Sequence, residues 1–227
     1  MERLINGFEY FRQHVFPQQR ELFKKLAEGR RPGVMFITCA DWRVMPELIF
    51  NAQPGELFVY RNIGNIVPPY AQPVSELVAA IEYAVNVLEV DDIVVCGHSD
   101  CSAMKALRRP ESLRGMPSVA AWLKHADVAR CVVERSSAGL PEEQCLWRLT
   151  CENVIGQLEH LRTLPVVAAA LAGGHLGIHG WVYDIAHADL QAFDPRLGRF
   201  VHIGARGNGL SDVRPHLHDV VAASSAD

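Results

Sequence analysis

The sequence predicts an α/β fold: a mainly parallel central β-sheet flanked by helices, with an N-terminal helical arm over about residues 1–30 and a C-terminal antiparallel strand. Three observations predict it. Val34-Met35-Phe36-Ile37-Thr38 and Asp92-Ile93-Val94-Val95-Cys96 are short apolar, partly β-branched runs without alternation, the pattern of strands buried on both faces. Between them Val74, Leu77, Val78, Ile81, Val85 and Leu88 recur at helical spacing, which gives one core-facing stripe. Strands and helices then alternate along the chain, and that order implies right-handed crossovers in a parallel sheet.

In chain order the expected elements begin with a helix from about Phe8 to Glu28, strand 34–38, a loop, and strand 57–60 after the Pro54-Gly55 turn. Helix 74–88, strand 92–96 and a helix over about 102–109 follow, then helices over about 117–133 and 141–163. The most apolar stretch, Leu164 to Tyr183, is cut by Pro165, Gly173, Gly174, Gly177 and Gly180. It reads as a short helix, a turn and a strand at about 176–184 rather than a membrane span, and a last strand is expected at 188–193. The length of 227 residues, with 49% hydrophobic and 21% charged, suits a single domain over 1–227 that buries a sizeable core. A disordered Ala/Ser-rich tail is expected at about 221–227.

A net charge of −4 with no basic run gives no electrostatic reason to expect nucleic acid or an anionic membrane as partner. Met1 to Glu9 carries charge and amide where a signal peptide needs an apolar core, so a cytoplasmic location and reduced thiols are expected. Of the six cysteines, Cys96, Cys131, Cys145 and Cys151 read as small buried hydrophobes.

The other two belong to the fragments that carry chemistry, Cys39-Ala40-Asp41-Trp42-Arg43 and His98-Ser99-Asp100-Cys101. Cys39, His98 and Cys101 offer Zn²⁺ two thiolates and an imidazole, and three protein ligands leave the fourth position of a catalytic site open to water. Both fragments follow predicted strands, so the ligands converge where open sheets bind their ligands. Asp41 has two competing roles: a fourth ligand that closes the tetrahedron, or a carboxylate that stands off and accepts a hydrogen bond from water. Arg43 favours the second, because a guanidinium forked onto the carboxylate holds it away from the metal.

These fragments, together with Pro54 to Asn65, Ser75 to Tyr83 and Gly180 to Asp184, occur in an order that resembles the β-class carbonic anhydrases over roughly residues 20–195. The resemblance implies reversible hydration of carbon dioxide to bicarbonate and a proton by attack of zinc-bound hydroxide, with Asp41 and Arg43 as a catalytic dyad. It also implies a homodimer or dimer of dimers, with Phe58 and Tyr83 as apolar pocket walls. Three positions depart from the family pattern. Trp42 stands where Ser is usual and needs space beside the dyad. Arg30 replaces a pocket Gln and would favour anions. Ser102 replaces a Gly after the last cysteine, which would cost about 1 kcal/mol if the backbone there were left-handed. These departures leave two alternatives open, a hydrolase of carbonyl sulfide or carbon disulfide, and a weakly catalytic zinc-bound relative that binds bicarbonate or serves as a scaffold.

Overall fold

The computed structural model describes residues 1–71, 75–137 and 139–204, so the expected tail lies outside the described residues. A six-stranded sheet runs through it: β1 (Val34–Cys39), β2 (Leu57–Asn62), β3 (Asp92–His98), β4 (Gly177–Asp184), β5 (Asp189–Asp194) and β6 (Arg199–His202). The spatial order is β2-β1-β3-β4-β5-β6. The pairs β2–β1, β1–β3 and β3–β4 are parallel, and β4–β5 and β5–β6 are antiparallel. The sheet is therefore mainly parallel as expected, with one antiparallel strand more than the sequence suggested, because β6 is only four residues long and has little apolar signal.

In the N-terminal arm the helix expected from about Phe8 begins at Glu2 and is not continuous. It consists of α1 (Glu2–Tyr10), a wide turn and a tight turn, and α2 (Arg20–Ala27). Pro17 sits at the start of the tight turn, where its missing N–H interrupts the helical ladder. Neither α1 nor α2 has a buried residue, and Leu4, Ile5 and Phe8 of α1 are exposed.

A short helix, α3 (Pro46–Ile49), occupies the loop after β1, and α4 (Glu76–Tyr83) crosses from β2 towards β3. Ser75 caps α4 by accepting from the Val78 N–H, and a wide helical turn carries the chain on to Leu88. Next come α5 (Ser102–Arg108), α6 (Pro117–Leu123), α7 (Asp127–Ser136), α8 (Glu142–Thr163) and α9 (Pro165–Ala172). The single helix expected over 117–133 is broken into α6 and α7 by a tight turn at Lys124–Ala126, and no Pro or Gly in that stretch signals the break. Cys131 on α7 is exposed and Cys151 on α8 only half-buried, which corrects the reading of both as core residues; Cys96 and Cys145 are buried.

Alternation along the strands separates two faces. Met35, Ile37, Ile93 and Val95 pack under α4, α8 and α9 with Leu77, Ile81, Leu158 and Leu161. On the other face Phe36, Val94 and Cys96 meet only a small set of side chains, chiefly Phe50, Trp181 and Tyr183. A further cluster, which contains Cys39 and Cys101, joins α5, α6, α7 and α8 through Met104, Leu107, Leu123, Val133 and Leu149. The carboxyl ends of β1 and β3 are thereby set into packed core, and that packing limits how far their terminal side chains can move.

Candidate metal centre

Three adjacent chain segments deliver the three donors. Cys39 ends β1, His98 ends β3, its neighbour in the sheet, and Cys101 precedes the first residue of α5. Asp100 adopts a left-handed backbone (φ 58°), the turn that brings Cys101 back towards His98 within three residues. One donor atom from each of Cys39, His98 and Cys101 lies within 4.8 Å of the others, all three residues are buried, and the two sulfurs are 3.9 Å apart.

The donors are prepared for a soft dication. His98 Nδ1 donates to the Ser99 carbonyl at 2.8 Å, which leaves the lone pair on Nε2; that atom is buried and has no hydrogen-bond partner. The hydrogen bond from Cys101 lowers the Cys39 thiol to about 4, helped by His98 and the Gly64 N–H against the opposing effect of burial. The same contact with Cys39, together with burial, raises Cys101 well above an ordinary thiol. The sulfur pair thus keeps one proton between them until a cation supplies the charge for both to ionise. Two thiolates and an imidazole nitrogen at this separation fit zinc.

Asp41 lies beside this pocket, with Oδ2 3.8 Å from His98 Nε2 and a side chain 6% exposed. Its Oδ1 accepts from the Arg43 backbone N–H and from Nε, both at 2.9 Å, and its Oδ2 accepts from Arg43 Nη2 at 2.8 Å. The fork leaves the carboxyl at about 2, with the Arg43 hydrogen bonds as the main cause, so Asp41 is ionised throughout the neutral range. Arg43 is itself anchored, since Nη1 donates to Asp100 Oδ2 at 2.9 Å and Nη2 to the Asp100 carbonyl at 3.2 Å. Asp100 also pairs with Lys105.

Sequence reasoning gave no role to Asp100, to Arg61 or to Gly64, although all three stand in the quoted fragments. Arg61 Nη1 donates to the carbonyls of Cys39 (3.4 Å) and Asp41 (3.3 Å), and Nη2 donates to that of Val44 (2.6 Å), which fixes the loop between ligand and dyad. Its one signal was a guanidinium directly after the apolar run Leu57 to Val59 and Tyr60. Gly64 (φ 80°) donates its N–H to Cys39 Sγ at 3.4 Å, and a Cβ there would stand 3.2 Å from Ala103 Cβ and 3.3 Å from Met104 Cε. Glycine suits this position on both counts.

The remaining candidates are not gathered at this pocket within one chain. Trp42 is 83% exposed, so its indole turns outward between the inward-facing members of the dyad and needs no room beside them. Ser102 is the first residue of α5 with no left-handed backbone, and the strain considered for it falls on Asp100 instead. Phe58 and Tyr83 pack on each other with ring centroids 6.4 Å apart. Phe58 pairs with Met35 in the sheet, four residues before Cys39, which places it roughly 13 Å back along the strand. Arg30 precedes β1 and pairs with Glu56 at 3.6 Å, near the start of β2. Arg30 and Phe58 therefore lie towards the end of the sheet opposite the metal pocket.

Asp100, Lys105, Asp184 and His187 line a common groove. His187 Nδ1 donates to Asp184 Oδ2 at 2.9 Å, while Asp184 Oδ1 accepts from Ser99 Oγ at 3.4 Å. This bond raises the His187 ring above its ordinary 6.5. The stabilisation is complete below 6.5 and is lost as pH rises through the raised folded value. An NMR titration should show a ring pKa above 6.5 that returns to the ordinary value in Asp184→Asn; equal values in the two proteins would count against the pair.

An open α/β sheet with a buried Cys-His-Cys pocket at its strand ends and a forked Asp–Arg pair beside it has the donor set of a catalytic zinc site, with three protein ligands and a position left for water. The carbonic anhydrase family model matches residues 34–190. The chain is 47% identical to a carbonic anhydrase of Pseudomonas aeruginosa over 203 residues, 89% of this chain and 92% of that one. Its structure is similar to that of the β-carbonic anhydrase CcaA, with a TM-score of 0.86 at 42% identity over 89% of this chain and 98% of that one. A tetrameric β-carbonic anhydrase of Sordaria macrospora gives a TM-score of 0.73 at 30% identity over 89% of this chain and 96% of the other. The chain belongs to the β-class carbonic anhydrase family.

Proposed function

We propose that this chain catalyses the reversible hydration of carbon dioxide to bicarbonate and a proton, with zinc held by Cys39, His98 and Cys101. The observation that carries the reading is the buried, unpartnered Nε2 of His98, which converges with two sulfurs beside a carboxylate whose two oxygens are both engaged by Arg43. Cys39, His98 and Cys101 would hold zinc there, and it would supply Lewis acidity that brings the pKa of a water towards ~7.

The chain's own residues do the rest. Arg43 holds Asp41 in its stand-off role, so the carboxylate orients water by accepting its hydrogen rather than closing the metal site. With the carboxyl at about 2, the proton does not stay on Asp41 but passes to solvent and buffer.

The working unit is proposed to be a homodimer, with dimers able to pair further. The exposed apolar residues of α1 support this, because they leave surface that a second copy can bury. In such a dimer Arg30, Phe58 and Tyr83 are available to a partner's pocket rather than their own. A single domain in the cytoplasm is proposed as well; among the described residues no helix is long and apolar enough to cross a membrane.

Stopped-flow hydration of carbon dioxide by protein of verified zinc content tests the activity. Zinc-loaded protein that releases sulfide from carbonyl sulfide or carbon disulfide but does not hydrate carbon dioxide would replace this reading. Because Trp42 points outward and Ser102 is unstrained, Trp42→Ser and Ser102→Gly should each change kcat/KM by less than about threefold, below the effect of a positioned acid–base group. A tenfold rise in either variant would show that the departure restrains turnover.

A further inference from the structure

Helix α8 carries polar side chains in a place where apolar ones would pack. Asn153 is fully buried and Gln157 is 1% exposed, and with half-buried His160 they occupy one stripe of the helix among Val154, Leu158 and Leu161. A buried amide left unpaired costs about 1–3 kcal/mol, so a stripe of this kind persists only if it is bonded. Here the bonds lead, directly or through one another, to one stretch of backbone. Asn153 Nδ2 donates to the Gly64 carbonyl at 3.0 Å, and Gln157 Nε2 donates to Asn153 Oδ1 at 2.9 Å. Gln157 Oε1 accepts from the Val67 N–H at 2.8 Å, and His160 Nδ1 donates to the Val67 carbonyl at 2.7 Å.

The other side of Gly64 is held by a different helix. Trp122 of α6 donates its indole N–H to the Ile63 carbonyl at 2.8 Å. That carbonyl belongs to the same planar peptide as the Gly64 N–H, and in a trans peptide the two point in opposite directions. A donor fixed on the Ile63 oxygen therefore aims the Gly64 N–H, which meets Cys39 Sγ at 3.4 Å. Hydrogen bonds in series through one peptide also polarise each other and strengthen the terminal donor.

We infer that Trp122 and Asn153, backed by Gln157, are positioning residues of the metal centre: from α6 and α8 they lock the Ile63–Gly64–Asn65 backbone so that the Gly64 amide donates to Cys39 and sets how tightly its sulfur holds the metal. This rests on the zinc reading above. None of the three touches the metal donors directly; Trp122 acts through the Ile63–Gly64 peptide, and Asn153, with Gln157 behind it, through the adjoining Gly64–Asn65 peptide.

The test uses Trp122→Phe, which removes the indole N–H and keeps an aromatic ring, Asn153→Leu, which is similar in size, and Gln157→Met. Thr163→Ala is the control, since it breaks another α8 tie, the acceptance of the Tyr70 N–H at 2.9 Å, away from Gly64. Zinc affinity is measured by chelator competition, and the sulfur-to-metal charge-transfer band is recorded on cobalt-substituted protein. Trp122→Phe and Asn153→Leu should each weaken zinc about 10-fold, the usual effect of losing an outer-shell partner. Both should move the band to lower energy, because a sulfur without its hydrogen bond gives up electron density more readily; Gln157→Met should do the same to a smaller extent.

Thr163→Ala should change neither readout. If Asn153→Leu does not fold, Trp122→Phe decides. Folded Trp122→Phe with parent affinity within twofold and an unshifted band overturns the inference while leaving the zinc reading intact. A parent that binds no zinc overturns both.

Discussion

Cys101→Ala protein is expected to leave purification with almost no zinc and to hydrate carbon dioxide more than ~10²-fold more slowly than the parent, beyond what loss of an outer-shell partner costs. The magnitude follows from the donor count. Three protein ligands are the minimum for a stable catalytic zinc site, and the pocket has no spare: among the described residues only Cys39, His98 and Cys101 form a group able to hold a metal. Asp41 is the one nearby substitute, and its two oxygens already accept three hydrogen bonds from Arg43. The same change also removes the sulfur that hydrogen-bonds Cys39 at 3.9 Å, so the remaining thiol returns towards ordinary behaviour and binds metal less readily at neutral pH. Cys101→Ser keeps the shape of the pocket and should lose zinc too, which separates ligation from packing in the cluster that Cys101 shares with Met104 and Leu149. Metal analysis and stopped-flow on the same samples check this. Parent-level zinc in Cys101→Ala would remove the basis of the functional reading.

The Cys39–His98–Cys101 cluster and the Asp41–Arg43 pair could be read from the sequence because local chain rules place them. A β-branched run that ends in Cys39 and another that ends at His98 put both side chains at the carboxyl end of a parallel pair, whatever the distant packing. Asp41 and Arg43 are two residues apart, and a fork between them needs no long-range contact. The supporting residues depend on tertiary neighbours. Nothing near Gly64 in sequence indicates that its N–H meets a sulfur 25 residues away, or that Asn153 lies against its carbonyl 89 residues on. Helix breaks within 117–133 and in the arm were hidden for a similar reason: apolar spacing survives a single tight turn, and only Pro17 marks one of the two places. Arg30, Phe58 and Tyr83, drawn from the resemblance as pocket residues, lie away from the Cys39–His98–Cys101 cluster within the chain, because a resemblance in sequence fixes positions along the chain and not distances in space.

Arg43→Ala is expected to retain its zinc and to lose roughly 10²-fold in kcat/KM, the scale of a positioned acid–base group. In the parent the guanidinium is itself held by Asp100 Oδ2 and the Asp100 carbonyl, so it presents a fixed fork rather than a mobile charge. Without it Asp41 loses two of its three hydrogen bonds, its carboxyl rises from about 2 towards the ordinary 3.8, and it remains ionised at neutral pH. A free, ionised carboxylate whose Oδ2 already lies 3.8 Å from His98 Nε2 then competes with water for the open position of the metal. The loss should therefore fall on turnover rather than on metal content, and Arg43→Lys should recover little, because an ammonium cannot bind both oxygens of the carboxylate at once. The double variant Arg43→Ala/Asp41→Asn discriminates further. If Arg43 acts by restraining Asp41, removing both should cost no more than removing the worse of the two, a large departure from additivity between neighbours. Stopped-flow with zinc content measured in parallel reads the parent, Arg43→Ala, Arg43→Lys, Asp41→Asn and the double variant. An unchanged kcat/KM in Arg43→Ala, or strictly additive losses in the double variant, would leave Arg43 as a brace for the Asp100 turn alone.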